Sequence, residues 1–160
     1  MDENTPIKRH PAMVSFSKDH HFGLLLVWKI RQGIKKEVSS VRISNYVLHF
    51  FEIDLKQHFQ EEEQLLFPKL PAGNPLRQKA EEDHRKILQL LNDIAHDKGN
   101  LALLNRMALE VEAHIRFEER ELFGYLQAHM GEKELEALLS RAPINSYQAA
   151  DQWEDVFWEK

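Results

Sequence analysis

Two stretches of equal length decide the fold: residues 58–67 read HFQEEEQLLF, and residues 114–123 read HIRFEERELF. Placed over one another without a gap, they share a His at the start, two adjacent Glu in the middle and a Leu-Phe pair at the end. Each stretch continues a stripe of apolar residues at helical spacing, which is typical of a helix that faces a core. The sequence therefore predicts that one core-facing helix occurs twice.

The helix before each copy is repeated as well. Asp19-His20 in the first half of the chain aligns with Asp83-His84 in the second half. His20 aligns better than its neighbour His21, because a shift of one residue would place a charged side chain over an apolar one. The apolar residues that then coincide are Leu24 with Leu88, Leu26 with Leu90, Val27 with Leu91 and Ile30 with Ile94. The chain is therefore predicted to be a doubled helical hairpin.

The whole sequence is expected to be all-α, because it contains no alternating run bounded by turn residues. The predicted breaks are Ser39-Ser40, which also offers an N-cap, Pro68 to Gly73, and Lys98-Gly99, with Gly99 as a C-cap. Five helices are predicted, over residues 15–38, 41–66, 75–96, 101–129 and 132–141. The first of them starts near residue 15 or 17. Long helices with short connections favour antiparallel neighbours. We expect an up-and-down antiparallel four-helix bundle with a short C-terminal helical extension.

Composition excludes several classes of function. The 160 residues include 21 Lys and Arg against 26 Asp and Glu, so no basic excess indicates a nucleic-acid partner. The longest apolar run, Leu24 to Trp28, is too short for a membrane span, and no signal-peptide core precedes it. The chain contains no Cys, which excludes disulfides, thiolate metal sites, iron–sulfur clusters and cysteine nucleophiles. A cytoplasmic location is the resulting expectation.

The repeated histidines and glutamates indicate a metal site. Residues i and i+4 of a helix project side by side, so each His-x-x-x-Glu places an imidazole and a carboxylate on a core-facing stripe. One such pair occurs often by chance, but two pairs in matched register, with one more His on each partner helix, favour a ligand set. Metal ions would offset the cost of burying these carboxylates. The six candidate ligands are His20, His58, Glu62, His84, His114 and Glu118.

Four imidazoles and two carboxylates exceed the needs of one tetrahedral zinc ion and suit two ions bridged by the carboxylates. Iron is the first choice, and manganese or zinc are possible. His21 is an alternative to His20 as a ligand, or an outer donor or gate. The histidines outside the pattern are expected to be solvated or to cap helix ends; they are His10, His49, His96 and His129.

The six residues and their order resemble the hemerythrin-like family, the HHE cation-binding domain. The flanking residues are similar too: Asp19-His20-His21, and Glu62-Glu63 followed by Leu66-Phe67-Pro68. The similarity covers about residues 15 to 130, and it implies an up-and-down four-helix bundle around a non-haem di-iron centre with oxo or hydroxo and carboxylate bridges. It further implies that the four His are terminal ligands and that Glu62 and Glu118 are the bridging carboxylates.

The sequence departs from the oxygen-carrying members of the family, which have two His four residues apart in the third helix. Here Ala80 stands four residues before His84, so one iron should lack a nitrogen ligand that Glu81 or a water could replace. The Asp usual near the end of the last motif is also replaced, by Glu118 or Glu119. Both departures favour sensing or redox chemistry over reversible oxygen storage.

The resemblance implies a di-iron protein that binds or senses a small ligand, such as O₂, nitric oxide or peroxide, or iron itself. A first alternative is a di-iron redox enzyme, peroxidase-like, catalase-like or nitric-oxide-handling; a second is an interaction protein that metal only stabilises. The proton relay of the enzyme is assigned to Glu61, Glu81 or Glu121. The residues expected to line the ligand pocket are Leu24, Phe51, Phe59, Leu88 and Phe117.

The end of the chain is polar but carries aromatic residues. We expect residues 1–144 to form the bundle and residues 145–160 to form a tail that packs on it. The spacing from Trp153 to Phe157 suits one helical turn against a surface. The alternative is that these aromatic residues contact a protein partner or a second copy in a homodimer.

Overall fold

The computed structural model describes residues 8–141 and 153–159, and within these ranges it is helical and contains no strand. None of the described helices is long and apolar enough to cross a membrane. The α-helices are α1 (Pro11–Lys35), α2 (Ser40–Phe50), α3 (Lys56–Glu61), α4 (Pro75–His96), α5 (Leu101–Phe117), α6 (Phe123–His129) and α7 (Glu132–Ser140).

Short π-helical segments join some of these helices into longer rods. Phe51–Leu55 links α2 to α3, Glu62–Leu66 follows α3, and Glu118–Leu122 links α5 to α6. The second rod therefore runs over residues 40–66 and the fourth over residues 101–129, as the sequence predicts. α1 is the first rod and α4 the third, and Phe67–Lys69 adds a 3-10 turn after the second.

Capping residues explain where the third and fourth rods begin. The Asn74 side chain accepts a hydrogen bond from the backbone N–H of Leu76 at 2.9 Å, and Pro75 occupies the first helical position. Asn100 caps α5 in the same way, through the backbone N–H of Ala102 at 3.0 Å. Both helices begin at the residues that the sequence predicts, 75 and 101.

The order of core residues along each rod shows the up-and-down topology. One apolar cluster contains Met13, Leu66, Ala80 and Leu122, and the other contains Ile30, Ile43, Ile94 and Leu104. The first and third rods run from the Met13 cluster toward the Ile30 cluster, and the second and fourth rods run the opposite way. The all-α, antiparallel four-helix bundle is confirmed, and α7 is its short C-terminal extension, packed against α1.

Several predicted helix ends were wrong. α1 begins at Pro11 instead of Ser15 or Ser17, because the His10 side chain accepts a hydrogen bond from the backbone N–H of Ala12 and proline fits the first turn. It ends at Lys35, three residues early, where the chain turns through Glu37 with a φ of 58°. The C-cap of α4 is Asp97 and not Gly99.

The described end of the chain packs on α1 and α2. Phe157 and Trp158 are 2% and 8% exposed and belong to the Ile30 cluster, and the Lys36 ammonium group donates to the Trp158 carbonyl at 2.8 Å. Residues 157–158 form a turn and residues 153–156 are not helical, so the predicted helical turn from Trp153 to Phe157 was wrong. Tyr147 and the boundary at residue 144 lie outside the described residues, and the division into two units stays a prediction.

Replacement of Gly33 by Ala tests this packing. A Cβ atom at Gly33 would lie 2.8 Å from the Phe157 ring and 2.8 Å from the Ile43 side chain. We expect Gly33→Ala to lower the free energy of unfolding by about 1–3 kcal/mol, as overpacking does elsewhere, measured by urea denaturation. Gly73→Ala is the control, because nothing lies within 4 Å of a Cβ atom there. Equal stability of the two variants would contradict the observed docking of Phe157.

Candidate metal centre

The bundle brings all six predicted ligands together in one layer between the two apolar clusters. Each rod contributes at least one of them, and every one of the six is at most 4% exposed. The donor atoms form two groups, each with its atoms within 4.8 Å of one another. The first group is His20, His58, Glu62 and Glu118, and the second is Glu62, His84, His114 and Glu118. The two carboxylates are therefore shared by both groups.

The inner nitrogen of every imidazole points at a carboxylate oxygen. Glu118 Oε1 lies 2.9 Å from His20 Nε2 and 3.1 Å from His114 Nε2. Glu62 Oε1 lies 3.2 Å from both His58 Nε2 and His84 Nε2. Each carboxylate thus lies between an imidazole of its own rod and an imidazole of a neighbouring rod, as a bridging group would.

The outer nitrogens point at a second set of carboxylates. His58 Nδ1 lies 2.8 Å from Asp19, and His114 Nδ1 lies 3.0 Å from Asp83. The other two contacts are His20 Nδ1 to Glu119 at 2.7 Å and His84 Nδ1 to Glu63 at 3.4 Å. A carboxylate that accepts a hydrogen bond from the Nδ1–H group keeps the proton on Nδ1 and leaves the lone pair of Nε2 free to face inward, which is the arrangement of metal-bound histidines.

Local backbone geometry places the two shared glutamates alike. Glu62 and Glu118 are each the first residue of a π-helical segment, at equivalent positions of the internal repeat. Isolated π-helical turns inside α-helices are frequent at functional sites. Each rod is otherwise α-helical between its His and its Glu, so the i, i+4 spacing keeps the two side chains adjacent.

The electrostatics of the metal-free cluster show that two buried carboxylates compete for protons. Burial and the negative charge of Glu118 raise the pKa of Glu62 well above its usual value. Burial would raise the pKa of Glu118 as well, but His114 and the other neighbouring donors hold it well below its usual range. Burial opposes the charging of His114, yet Glu118 and Asp83 outweigh it and raise its pKa to about 9. Bound protons therefore neutralise negative charge of the carboxylates that a metal cation would neutralise in their place.

The pKa values of His20 and His84 shift in opposite directions although the two residues are equivalent in the repeat. The pKa of His20 is raised, because Glu118 and Glu119 together outweigh the effect of burial. Burial dominates at His84 and lowers its pKa, although the contact to Glu63 and the charge of Glu118 oppose it. The two halves of the cluster therefore differ in electrostatics.

Unpartnered atoms show that the donor set fits a cation. Several fully buried polar atoms of the cluster make no hydrogen bond, although some of them lie within 3.2 Å of a ring nitrogen or a carboxylate oxygen, and this is costly in a bundle interior. They are Glu62 Oε1 and Oε2, Glu118 Oε2, His84 Nε2 and His114 Nε2. All of them are acceptors or lone-pair donors, and a metal ion would satisfy them together.

Other sequence-predicted residues lie away from this layer. His21 is exposed, so His20 is the histidine of this segment that faces the cluster. Glu81 pairs with Arg77 at 3.5 Å on α4 and does not fill the position left by Ala80. Leu24 and Leu88 were expected to line the ligand pocket beside the cluster, but they are 39% and 42% exposed. Of the pocket candidates, Phe51, Phe59 and Phe117 are buried.

The remaining histidines have ordinary roles except one. His10 caps α1, and His96 and His129 are exposed at helix ends and contact the carbonyls of Asn92 and Tyr125. His49 was expected to be solvated, but it is half-buried and stacks on Trp153 with ring centroids 4.6 Å apart. It packs the end of the chain instead of serving the cluster.

Sequence reasoning missed the outer carboxylates. Asp19 and Asp83 are equivalent in the repeat, and so are Glu63 and Glu119. Their duplication alongside the histidines was the available signal, because a residue that orients a ligand is repeated when the ligand is repeated. Only the folded bundle shows that each contacts a histidine of a neighbouring rod.

Comparison with known families agrees with this donor set. The model of the hemerythrin HHE cation-binding domain matches residues 29–126. The chain belongs to this family. The matched range contains five of the six clustered residues, and His20 joins them by its position on α1. No curated protein and no solved structure was found to match the hemerythrin-like chain. Membership indicates that this domain binds cations.

The outer carboxylates give a direct test of cation binding. We expect Asp83→Asn to weaken metal binding by about 10–100-fold, because the asparagine holds the His114 ring less firmly in its donor orientation. Competition with a chelator of known affinity measures the change. Asp93→Asn on the same helix is the control, since Asp93 contacts only Gln89 among the hydrogen bonds described. Equal loss of affinity in both variants would contradict the role of Asp83.

Proposed function

We propose that this hemerythrin-like chain is a non-haem di-iron protein that binds or senses a small ligand. The observation that carries the proposal is the sharing of Glu62 and Glu118 by two donor groups, because bridging carboxylates are what two adjacent ions require. His20 and His58 would hold one ion, and His84 and His114 the other. Mixed nitrogen and oxygen donors without thiolates favour iron, and manganese or zinc would also fit.

The number of protein ligands supports a free coordination position on each ion. Two imidazoles and two shared carboxylates give each ion four protein donors at most, fewer than octahedral iron accommodates. Ala80 offers no donor, and Glu81 is paired elsewhere. Bound iron would supply redox chemistry and coordination of O₂, nitric oxide or peroxide.

The surroundings favour a ligand of a few atoms. An internal cavity of about 10 Å³ lies beside the cluster and has apolar walls that include Gly23, Leu55 and Val111. A volume of roughly 10–15 Å³ is what one water needs by the same measure. The cavity would therefore exclude large molecules and favour a ligand close to water in size, such as a diatomic molecule, held against the histidines that line it.

Iron content tests the proposal. We expect wild-type protein saturated anaerobically with ferrous iron to retain two ions per chain, and Glu62→Gln to lose both because they share this carboxylate. Glu61→Gln is the matched control, since Glu61 is the adjacent residue and hydrogen-bonds to Gln57 at 2.9 Å, away from the cluster. Elemental analysis gives the count, and exposure of the reduced protein to O₂ or nitric oxide should change its near-ultraviolet spectrum. One ion per wild-type chain would refute the proposal.

A redox enzyme is the second candidate, and one contact favours it. The residues expected as proton relays do not reach the cluster: Glu61 and Glu81 have other partners, and Glu121 is exposed. Glu119 instead lies 2.7 Å from His20 and is half-buried, so its carboxylate can accept a proton at the edge of the site. Turnover of peroxide by iron-loaded wild type, lost in Glu62→Gln, would favour the enzyme over a sensor.

A further inference from the structure

The two halves of the cluster are equivalent in the repeat, but their histidines are shielded from solvent in different ways. Glu119 lies 2.7 Å from His20, and its side chain is 31% exposed. Its counterpart Glu63 lies 3.4 Å from His84, and its side chain is 47% exposed. The hydrogen bond that orients His84 is therefore longer and more open to solvent than the one that orients His20.

The chain preceding α1 seals the Glu119 side. The Arg9 guanidinium lies 3.1 Å from Glu119 Oε2 and also contacts the Glu119 backbone carbonyl. Gln127 of α6 holds this segment in place, since its side chain accepts from the His10 N–H at 2.7 Å and donates to the Lys8 carbonyl at 2.7 Å. A charge-assisted contact and two hydrogen bonds would have to break before solvent could reach His20 from this side.

The Glu63 side borders a surface pocket instead. The pocket has a volume of about 280 Å³ and lies between the second rod and α4, with walls that include Phe51, Phe59, Glu63, Leu88 and Leu91. The Phe59 ring stacks on His84 with centroids 3.9 Å apart. Phe59 and Glu63 thus both contact His84 and line a pocket large enough for several waters.

We propose that the ion held by His84 and His114 is the exchangeable one, and that it is loaded and released through this pocket past Phe59 and Glu63. The ion held by His20 and His58 is retained behind Arg9 and Glu119. Glu63 can rotate toward the pocket and meet an incoming cation with its carboxylate, an oxygen ligand that hydrated ferrous iron accepts. This inference rests on the proposed two-ion site.

The kinetics of iron release test the proposal. The full chain is loaded anaerobically with ferrous iron and mixed with excess chelator that forms a coloured ferrous complex. We expect two phases of equal amplitude, one ion each. Glu119→Gln should accelerate the slow phase by about 10–100-fold, because it frees His20, and should leave the fast phase unchanged. Glu63→Gln, the equivalent change in the other half, should alter only the fast phase.

A second pair of variants tests the route itself. Leu88→Trp narrows the pocket and should slow the fast phase several-fold, whereas Leu88→Ala should accelerate it. Leu24 is the matched control, because it aligns with Leu88 in the repeat and is similarly exposed, 39% against 42%, but does not line the pocket. Leu24→Trp and Leu24→Ala should change neither phase. Far-ultraviolet circular dichroism confirms that each variant is folded.

Two results would overturn the inference while leaving the two-ion site intact: two ions per chain released in a single phase, or a fast phase that responds equally to changes at Leu88 and Leu24. Fewer than two ions per saturated wild-type chain would refute the proposed function itself. Iron content is measured before the chelator is added, so the two failures are distinguishable.

Discussion

Two fully buried carboxylates, those of Glu62 and Glu118, lie in the middle of the bundle with four imidazoles around them. Burial without a positive partner would cost several kcal/mol for each, so this layer sets a constraint that the rest of the structure must meet. Apolar residues fill the bundle on both sides of it and exclude water. The apolar packing offsets part of the cost of this polar layer, and bound cations would offset the rest.

The outer carboxylates connect the rods into a closed ring. Asp19 on α1 reaches the second rod and Asp83 on α4 reaches the fourth, while Glu63 on the second rod reaches α4 and Glu119 on the fourth reaches α1. Each histidine is thus oriented from a neighbouring helix, and a change in bundle packing would move the donors. The duplication makes this ring nearly symmetric. Of the four outer carboxylates, Arg9 contacts only that of Glu119, and this contact breaks the symmetry. Differences between the two ions would follow from this contact and from the pocket beside Glu63.

Much of this could be predicted from the sequence, because the repeat carries both fold and donors. Because His58 and Glu62 are four residues apart, their side chains project from the same side of any helix. Asn74-Pro75 specifies a helix start through local chemistry alone. The outer contacts could not be predicted, since Glu119 and His20 are 99 residues apart and meet only through tertiary packing. The start of α1 was also predicted wrongly, because His10 and Pro11 begin this helix before the serines at positions 15 and 17. Leu24 and Leu88 satisfy the helical periodicity but lie at the edge of the buried stripe, which a pattern of apolar residues does not resolve.

The position of bound ions tests the central claim most directly. Crystals of the iron-loaded protein, measured at wavelengths on either side of the iron absorption edge, would reveal each ion by its anomalous scattering. The account predicts two peaks within the layer, one beside His20 and His58 and one beside His84 and His114, with Glu62 and Glu118 contacting both. Peaks outside the bundle, or a single peak bound by one pair of histidines alone, would contradict it.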